Sequence, residues 1–167
     1  TLTSICIIHR VKLSLDRADL TLQLLVDGDS EIRRAVRSLL QVCQLEDQEC
    51  CRVAFKALLR AYQRHPTEMD ELMVTSGKIG CNHAHIIAAL VPTLLRIENK
   101  YFGLQEPRVE DPNYMLILSV VLNAVSVAPE IMIPTLPAFI FKQYHYLRAK
   151  HRQAIPSLLN IALFNES

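Results

Sequence analysis

The sequence predicts an all-α fold, an α-solenoid of HEAT/armadillo-like type built from antiparallel helix pairs. Half of its 167 residues are hydrophobic and only 4 are glycine, so the chain is poor in the turns that a multi-stranded sheet needs. Apolar residues instead recur at helical spacing, in segments separated by proline, glycine or polar residues. About four helix pairs can be counted, and each is too thin to bury its apolar stripe without neighbours. An irregular helical bundle remains the alternative.

Three helices are predicted in the first part of the chain. The helix over residues 2–13 is the weakest, because the dense apolar run at 5–8 also suits a strand. Asp19 can cap the second helix, which carries Leu20, Leu24 and Leu25, and the turn at 27–29 ends it. Ser30 begins the third. Its buried face is predicted to hold Ile32, Ala35, Val36, Leu39, Leu40 and Cys43, and its polar face Arg33, Arg34 and Arg37.

The third helix resembles the second helix of a HEAT repeat. An acid starts the helix, an Ile-Arg pair follows, and an alanine then permits a neighbouring helix to approach closely. An ordinary capped amphipathic helix shares most of these residue types, but here the turn, cap, arginine and alanine occur together at the expected offsets. The signature residues are Asp29, Ile32, Arg33, Ala35 and Leu39.

A fourth helix is predicted from about Asp47 to Arg64. It closes at His65, because proline at position 66 disfavours the helical conformation of the residue before it. Its apolar stripe consists of Cys50, Cys51, Ala54, Phe55, Leu58 and Tyr62.

Two further helices follow this proline. Thr67 and Asp70 resemble a capping box for the first of them, and the stretch from Gly77 to Gly80 is expected to end it. Asn82 can cap the second, in which Pro92 should produce a kink. The residues that this second helix is expected to bury are Ile86, Ile87, Leu90, Val91, Leu94 and Leu95.

The last part of the chain predicts two strong helices. After a polar loop at 101–110, Asp111 and Pro112 supply an N-cap and a first-turn proline for a long buried helix that ends near Ala128. The final helix spans about Ala138 to Arg152. Pro129, Pro134 and Pro137 break the chain before it, and Pro156 separates it from a short apolar tail, Leu158 to Phe164.

Composition narrows the class of partner. Lys plus Arg number 18 against 17 for Asp plus Glu, so the net charge of +1 offers no strong field for steering nucleic acid or an anionic membrane.

The longest apolar stretch, Tyr114 to Ala128, is shorter than the ~20 residues of a spanning helix. Five cysteines, an odd number, favour a reducing compartment over a disulfide framework. Because Thr1 stands first, we expect a piece of a longer array.

No residue pattern predicts catalysis, a metal or a cofactor. Cys81, His83 and His85 are borderline ligands within five residues, but helix positions two apart do not share a face, and we expect exposed imidazoles at a polar helix start. Every cysteine lies in or beside an apolar stripe, where a neutral thiol is favoured over a nucleophile. Neither a P-loop nor a dinucleotide-binding glycine pattern is present.

The last helix carries a candidate partner or anion surface. No acidic residue occurs from Ile131 to Asn165. The basic residues of this surface are Lys142, His145, Arg148, Lys150 and Arg152. A solvated helix face, with cations favourably placed near its C-terminus, is the alternative. If the surface binds, an acidic segment or a phosphate-rich ligand fits it better than duplex nucleic acid, since one short stripe neutralises few phosphates.

The second half of the chain resembles the Integrator complex subunit 4 family. The resemblance lies in His83-Ala84-His85-Ile86-Ile87-Ala88-Ala89-Leu90-Val91-Pro92-Thr93-Leu94-Leu95, in Glu106-Pro107-Arg108-Val109-Glu110-Asp111-Pro112-Asn113-Tyr114 and in Phe141-Lys142-Gln143-Tyr144-His145-Tyr146-Leu147-Arg148. These features follow in the family's order. They cover residues 81–155, whereas residues 1–80 are similar only as generic HEAT helices.

The resemblance implies a non-catalytic HEAT-repeat scaffold in the nucleus. In that family the complex processes small nuclear RNA 3′ ends and terminates early transcription by RNA polymerase II, and the scaffold holds a pair of metallo-β-lactamase-type subunits, one of them an endonuclease. The family's dedicated partner-binding domain lies C-terminal to its HEAT array. The implied partners are therefore protein subunits of a multi-subunit complex. A cytoplasmic HEAT or armadillo adaptor of a transport or phosphatase assembly would have the same helices, and an enzyme fits least well.

Overall fold

The computed structural model describes residues 11–97, without the side chains of 95–97, and residues 108–161. The described residues are mostly helical and form eight α-helices. These are α1 (Leu15–Gln23), α2 (Ser30–Leu40), α3 (Gln48–Arg64), α4 (Met69–Asn82), α5 (Ala84–Ile97), α6 (Pro112–Val127), α7 (Pro129–Met132) and α8 (Ala138–Lys150). Short 3₁₀ turns occupy Leu24–Val26, Pro66–Glu68 and Ile133–Thr135. Among these helices, none combines the length and the apolar character that crossing a membrane requires.

A two-residue parallel strand pair departs from the predicted all-helical chain. Strand β1 (Lys12–Leu13) lies beside β2 (Gln44–Leu45), with Lys12 opposite Gln44. The helix predicted over residues 2–13 therefore does not include its last two residues, which are extended because they hydrogen-bond to the segment after α2. The remainder of that prediction lies outside the described residues, as do residues 101–107 of the predicted loop, the side chain of Leu95 and the end of the apolar tail.

Helix packing follows an alternating order. Helix α1 contacts α3, α2 contacts α4, α3 contacts α5, and α4 makes its most extensive contact with α6. Consecutive helices α3 and α4, and α5 and α6, also contact each other. Each of the first four helices therefore packs against the next but one in sequence.

Helix α6 is the centre of the core. It begins as predicted: the Asp111 side chain accepts a hydrogen bond from the backbone N–H of Tyr114, and Pro112 takes the first helical position. Most residues of α6 are buried, on every side of the helix. The buried Tyr114 hydroxyl has a hydrogen-bond partner, because it donates to the side chain of Gln143 on α8 at 2.8 Å. The prediction that the apolar stretch from Tyr114 to Ala128 forms a buried helix is therefore confirmed.

Glycine does not end α4, contrary to the prediction. Gly77 and Gly80 both lie inside the helix, which continues to Asn82. A Cβ at Gly80 would stand 2.2 Å from the carbonyl oxygen of Val120, so the missing side chain is what lets α4 and α6 approach. The destabilising effect of glycine inside a helix, about 1 kcal/mol relative to alanine, is offset by this contact.

Four of the predicted caps are wrong, although the helices they belong to exist. Asp19 lies within α1, which starts at Leu15 because Ala18 and Leu22 provide its buried side. At α2, Asp29 rather than Ser30 accepts the capping hydrogen bond, from Glu31 N at 2.8 Å.

Neither Thr67 nor Asn82 caps a helix. Thr67 falls in a 3₁₀ turn, and the Glu68 cap position of α4 makes no side-chain capping bond. Asn82 donates instead to the backbone carbonyl of Gln41 at 2.9 Å, which joins the end of α4 to the end of α2. The predicted bounds and stripe of α3 are confirmed, with Asp47 as its N-cap and only Tyr62 half-buried, and α8 ends two residues earlier than predicted.

Candidate functional site

Helix α2 contains most of the residues of the predicted HEAT-like signature, and the residues at its start organise the turn before it. Asp29 is the N-cap, as described above, and its own backbone N–H donates to the side chain of Asp27 at 2.8 Å. The Arg33 guanidinium donates to the backbone carbonyls of Asp27 at 2.7 Å and Gly28 at 3.0 Å. These two hydrogen bonds from Arg33 therefore fix the conformation of the α1–α2 turn.

One carboxylate joins α2 to the start of α4. Arg33 Nε donates to Glu68 Oε1 at 3.1 Å, and Arg37 Nη1 donates to Glu68 Oε2. The hydrogen bond from Arg33 holds the pKa of Glu68 below its ordinary value, and the same bond raises the pKa of Arg33. Both arginines are buried, at 7% exposure each. The cluster is a structural link between two helices.

The predicted buried face of α2 is therefore only partly correct, because Val36, Leu40 and Cys43 are buried as predicted but two other predicted members are exposed. Its interior residues are Arg33, Val36, Arg37 and Leu40, whereas Ile32 is 38% exposed and Ala35 is also exposed. The predicted and observed faces share Val36 and Leu40, but apolar content alone wrongly added Ile32 and could not reveal the two buried arginines. Arginine can occupy the interior because its long stem packs against apolar groups and its charge has a partner. The HEAT-signature residue Leu39 is half-buried.

The exposed side of α8 is centred on an aromatic ring. Lys142, Tyr146 and Lys150 follow one another at four-residue spacing and so share a face. The Tyr146 hydroxyl donates to Glu110 Oε1 at 3.1 Å, and Lys150 Nζ lies 3.3 Å from that hydroxyl and 5.5 Å from the ring centroid. An acid that precedes α6 thus approaches a helix whose own sequence contains no acid.

The other predicted members of this surface lie elsewhere. Arg148 points about a third of a turn away from Lys142, and its guanidinium donates to the backbone carbonyls of Arg152 and Ile155, the latter at 2.8 Å. It closes the C-terminal end of α8. His145 is half-buried, and Arg152 is exposed beyond the helix. The five predicted basic residues do not share one face, and whether any of them binds a partner stays a prediction.

A groove of about 570 Å³ runs between α2, the start of α4 and the segment after α8. Its walls carry both charges: Arg34 and Arg37 on α2, and Asp70 and Glu71 on α4. At one end His151 Nδ1 lies 3.3 Å from Asp70 Oδ1. Because the cations line one wall and the acids the other, the groove has no single sign of charge with which to select a ligand.

Sequence reasoning missed a row of cations on α3. Arg52, Lys56, Arg60 and Arg64 are separated by four residues each, and we call this row the α3 basic face. Lys56, Arg60 and Arg64 are exposed, and Arg52 is half-buried. The four-residue spacing of these cations is visible in the sequence. It was missed because the helix was interpreted only through the apolar stripe on its opposite side.

The residues considered for chemistry lie apart from one another. His83 is buried, not exposed as predicted: its Nε2 accepts from the backbone N–H of Leu45 at 2.8 Å, and its Nδ1 lies 2.9 Å from Ile79 O. Burial lowers the pKa of His83 and raises that of the Cys51 thiol to about 12. Within residues 11–97 and 108–161, no three His, Cys, Asp or Glu side chains form a group that could hold a metal ion.

Comparison with known proteins gives one consistent set of relatives. No protein-family model matches the chain. Integrator complex subunit 4 of Xenopus laevis is 30% identical over 152 residues, which is 89% of this chain and 15% of the relative. The Homo sapiens protein of that name is 30% identical over 154 residues, 90% of this chain, and that of Drosophila melanogaster is 28% identical over 152 residues, 91% of this chain. The chain spans about 15% of the length of these relatives.

Proposed function

Since the chain is homologous to Integrator complex subunit 4 over about 90% of its length, we propose that it serves as a non-catalytic scaffold segment of an Integrator complex. The homology is the observation that carries this proposal. It extends to vertebrate and insect proteins of the same name, and it includes the first half of the chain as well as residues 81–155.

We propose that the helices form part of an α-solenoid that continues beyond these residues. The alternating contacts support this, because α1, α3 and α5 make one layer and α2, α4 and α6 make another. Such two-layer stacking, in which each helix pair contacts only its neighbours, is how helical repeats bury their apolar stripes. On this account residues 1–167 are one stretch of a longer array, and the exposed helix faces are available to partners.

The proposed role is nuclear. The scaffold would position other protein subunits, among them a metallo-β-lactamase-type nuclease pair, for cleavage at small nuclear RNA 3′ ends and for early termination of transcription. Its own contribution is shape and spacing, so the rate of cleavage depends on it only through assembly. Sequence-specific contact with nucleic acid is not part of this proposal.

Depletion of the full-length protein in its native cells tests this role. Because an unassembled nuclease cannot reach its substrate, 3′-extended small nuclear RNA precursors should accumulate, as measured by sequencing of nascent RNA, and re-expression of the wild-type protein should remove them. Unchanged precursor levels after complete depletion would contradict the proposal. Depletion of an unrelated helical-repeat protein controls for general effects on transcription.

A further inference from the structure

The α3 basic face extends along most of one helix. From Arg52 to Arg64 it spans about 18 Å, with neighbouring side chains about 6 Å apart. The opposite side of α3 is core, where Cys51, Ala54 and Leu58 are buried. The four cations are therefore fixed on a rigid, well-packed helix.

Most of these cations have no acidic partner in the part of the chain that the structure describes. Within the described residues, Lys56, Arg60 and Arg64 have no acidic side chain within ion-pair distance. Arg52 has a weak contact with Glu49, at 3.9 Å. On α2, in contrast, Arg33, Arg34 and Arg37 each pair with a carboxylate.

Local helix stability does not explain the row. Like charges four residues apart destabilise a helix by a few tenths of a kcal/mol per pair, and this row has three such pairs. The helix dipole favours cations only in the last turn, which accounts for Arg64 but not for Arg52 near the N-terminus. The row of like charges therefore destabilises α3, and neither its side-chain pairs nor the helix dipole explains why it is there.

Two concavities adjoin the row. Beside Arg52 and Lys56, a cavity of about 40 Å³ is lined by apolar side chains of α3, α5 and α6, namely Phe55, Leu58, Leu59, Leu94, Leu116 and Ile117. The buried hydroxyl of Ser76 borders the same cavity and has no hydrogen-bond partner among the described residues. At the other end, Arg60, Gln63 and Arg64 line an open groove with the exposed Val26.

We propose that the α3 basic face binds an acidic polypeptide segment that also carries apolar side chains. Carboxylates of that segment would pair with Lys56, Arg60 and Arg64, while one apolar side chain enters the cavity beside Arg52. Charge complementarity selects the occupant, and the apolar cavity sets its register. This inference does not depend on which complex the chain serves.

The same features disfavour nucleic acid as the ligand. Proteins that bind single strands place aromatic rings for base stacking among their cations. The aromatic residues of α3 are Phe55, which is buried, and Tyr62, which packs against the core, so neither lies in the row. A phosphate backbone also has no apolar group for the cavity.

Fluorescence anisotropy with the purified full-length protein tests the proposal. The probe is a labelled peptide of repeated Glu-Glu-Leu-Leu blocks, compared with a Glu-Glu-Ser-Ser peptide of equal length and with oligouridylate. We expect the leucine peptide to bind at least tenfold more tightly than the other two, and the double variant Lys56→Glu/Arg60→Glu to weaken it at least tenfold.

The matched control is Arg17→Glu/Lys78→Glu, which changes the charge equally at two exposed positions on α1 and α4. It should bind the leucine peptide like the wild type. Thermal unfolding followed by circular dichroism shows whether the α3 variant folds. Its midpoint should be equal to or higher than that of the wild type, because the new glutamates relieve repulsion with Arg52 and Arg64.

Three results would overturn the proposal. Equal weakening by both double variants would indicate only a general charge effect. Equal binding of the leucine and serine peptides would remove the apolar cavity from the site. Tighter binding of oligouridylate, lost in the α3 variant, would make the row a nucleic-acid surface instead. Each of these would leave the proposed scaffold role untouched.

Discussion

Gly80 of α4 lies so close to Val120 of α6 that a Cβ would stand 2.2 Å from the Val120 carbonyl oxygen. The atom it would meet belongs to backbone, which cannot rotate away as a flexible side chain can. This close approach fixes the most extensive helix pair of the core.

Gly80→Ala should therefore destabilise the protein, although alanine is the better helix former. Separation of α4 from α6 should exceed the gain in helix propensity, for a net loss of about 2 kcal/mol in the free energy of unfolding. Urea denaturation followed by circular dichroism measures it. Gly28→Ala is the control, because no atom lies within 4 Å of its added Cβ, and it should change stability by less than about 0.5 kcal/mol. Equal stability of both variants would show that the helices can separate freely.

Glu68→Gln should loosen the link between α2 and α4. The substitution removes the charge that two buried arginines share, and we expect a loss of about 2 kcal/mol at neutral pH by urea denaturation. Glu71→Gln changes an exposed acid of α4 and should have little effect. Because the folded-state pKa of Glu68 is lowered, its contribution is complete above its ordinary pKa of 4.5 and is lost as the pH falls through the folded-state value. The difference in the free energy of unfolding between the wild type and Glu68→Gln should therefore shrink as the pH falls below 4.5. A difference that stays constant down to the folded-state pKa of Glu68 would contradict the proposed ion pairs.

His83 should make stability fall in mild acid. Burial lowers its folded-state pKa below the ordinary 6.5, so the unfolded chain binds a proton more readily, and stability declines as the pH drops below about 6.5. His83→Gln keeps an acceptor for the Leu45 amide but does not titrate. Thermal midpoints measured from pH 7 to pH 5 should therefore fall less in His83→Gln than in the wild type. The exposed His85 supplies the control variant His85→Gln, whose midpoints should fall as the wild type's do. If the thermal midpoints of all three proteins fell equally between pH 7 and pH 5, the proposed role of His83 would be excluded.

Much of the helical organisation could be predicted, because period and caps are local properties. The bounds of α3, the Asp111–Pro112 start of α6 and the helix after Pro137 follow from apolar spacing and proline chemistry. The prediction that Gly77 to Gly80 ends a helix failed because a close interhelical approach is set by a partner distant in sequence.

The candidate surfaces were less predictable, because sequence does not show which charges meet. Arg33 and Arg37 resembled a polar face until Glu68, more than thirty positions away, accounted for their burial. Arg148 resembled a free cation, but it closes the end of its own helix. On α3, by contrast, the cation spacing was visible, and only the lack of acidic partners for Lys56, Arg60 and Arg64 among the described residues required the structure.

Affinity capture of the full-length protein from nuclear and cytoplasmic extracts, with mass spectrometry of the co-purifying proteins, tests the central claim most directly. A scaffold of an Integrator complex should recover the metallo-β-lactamase-type nuclease pair from the nuclear extract in near-stoichiometric amounts. Recovery of transport or phosphatase subunits from the cytoplasm, without that pair in either extract, would contradict the claim and leave only a helical scaffold of another assembly.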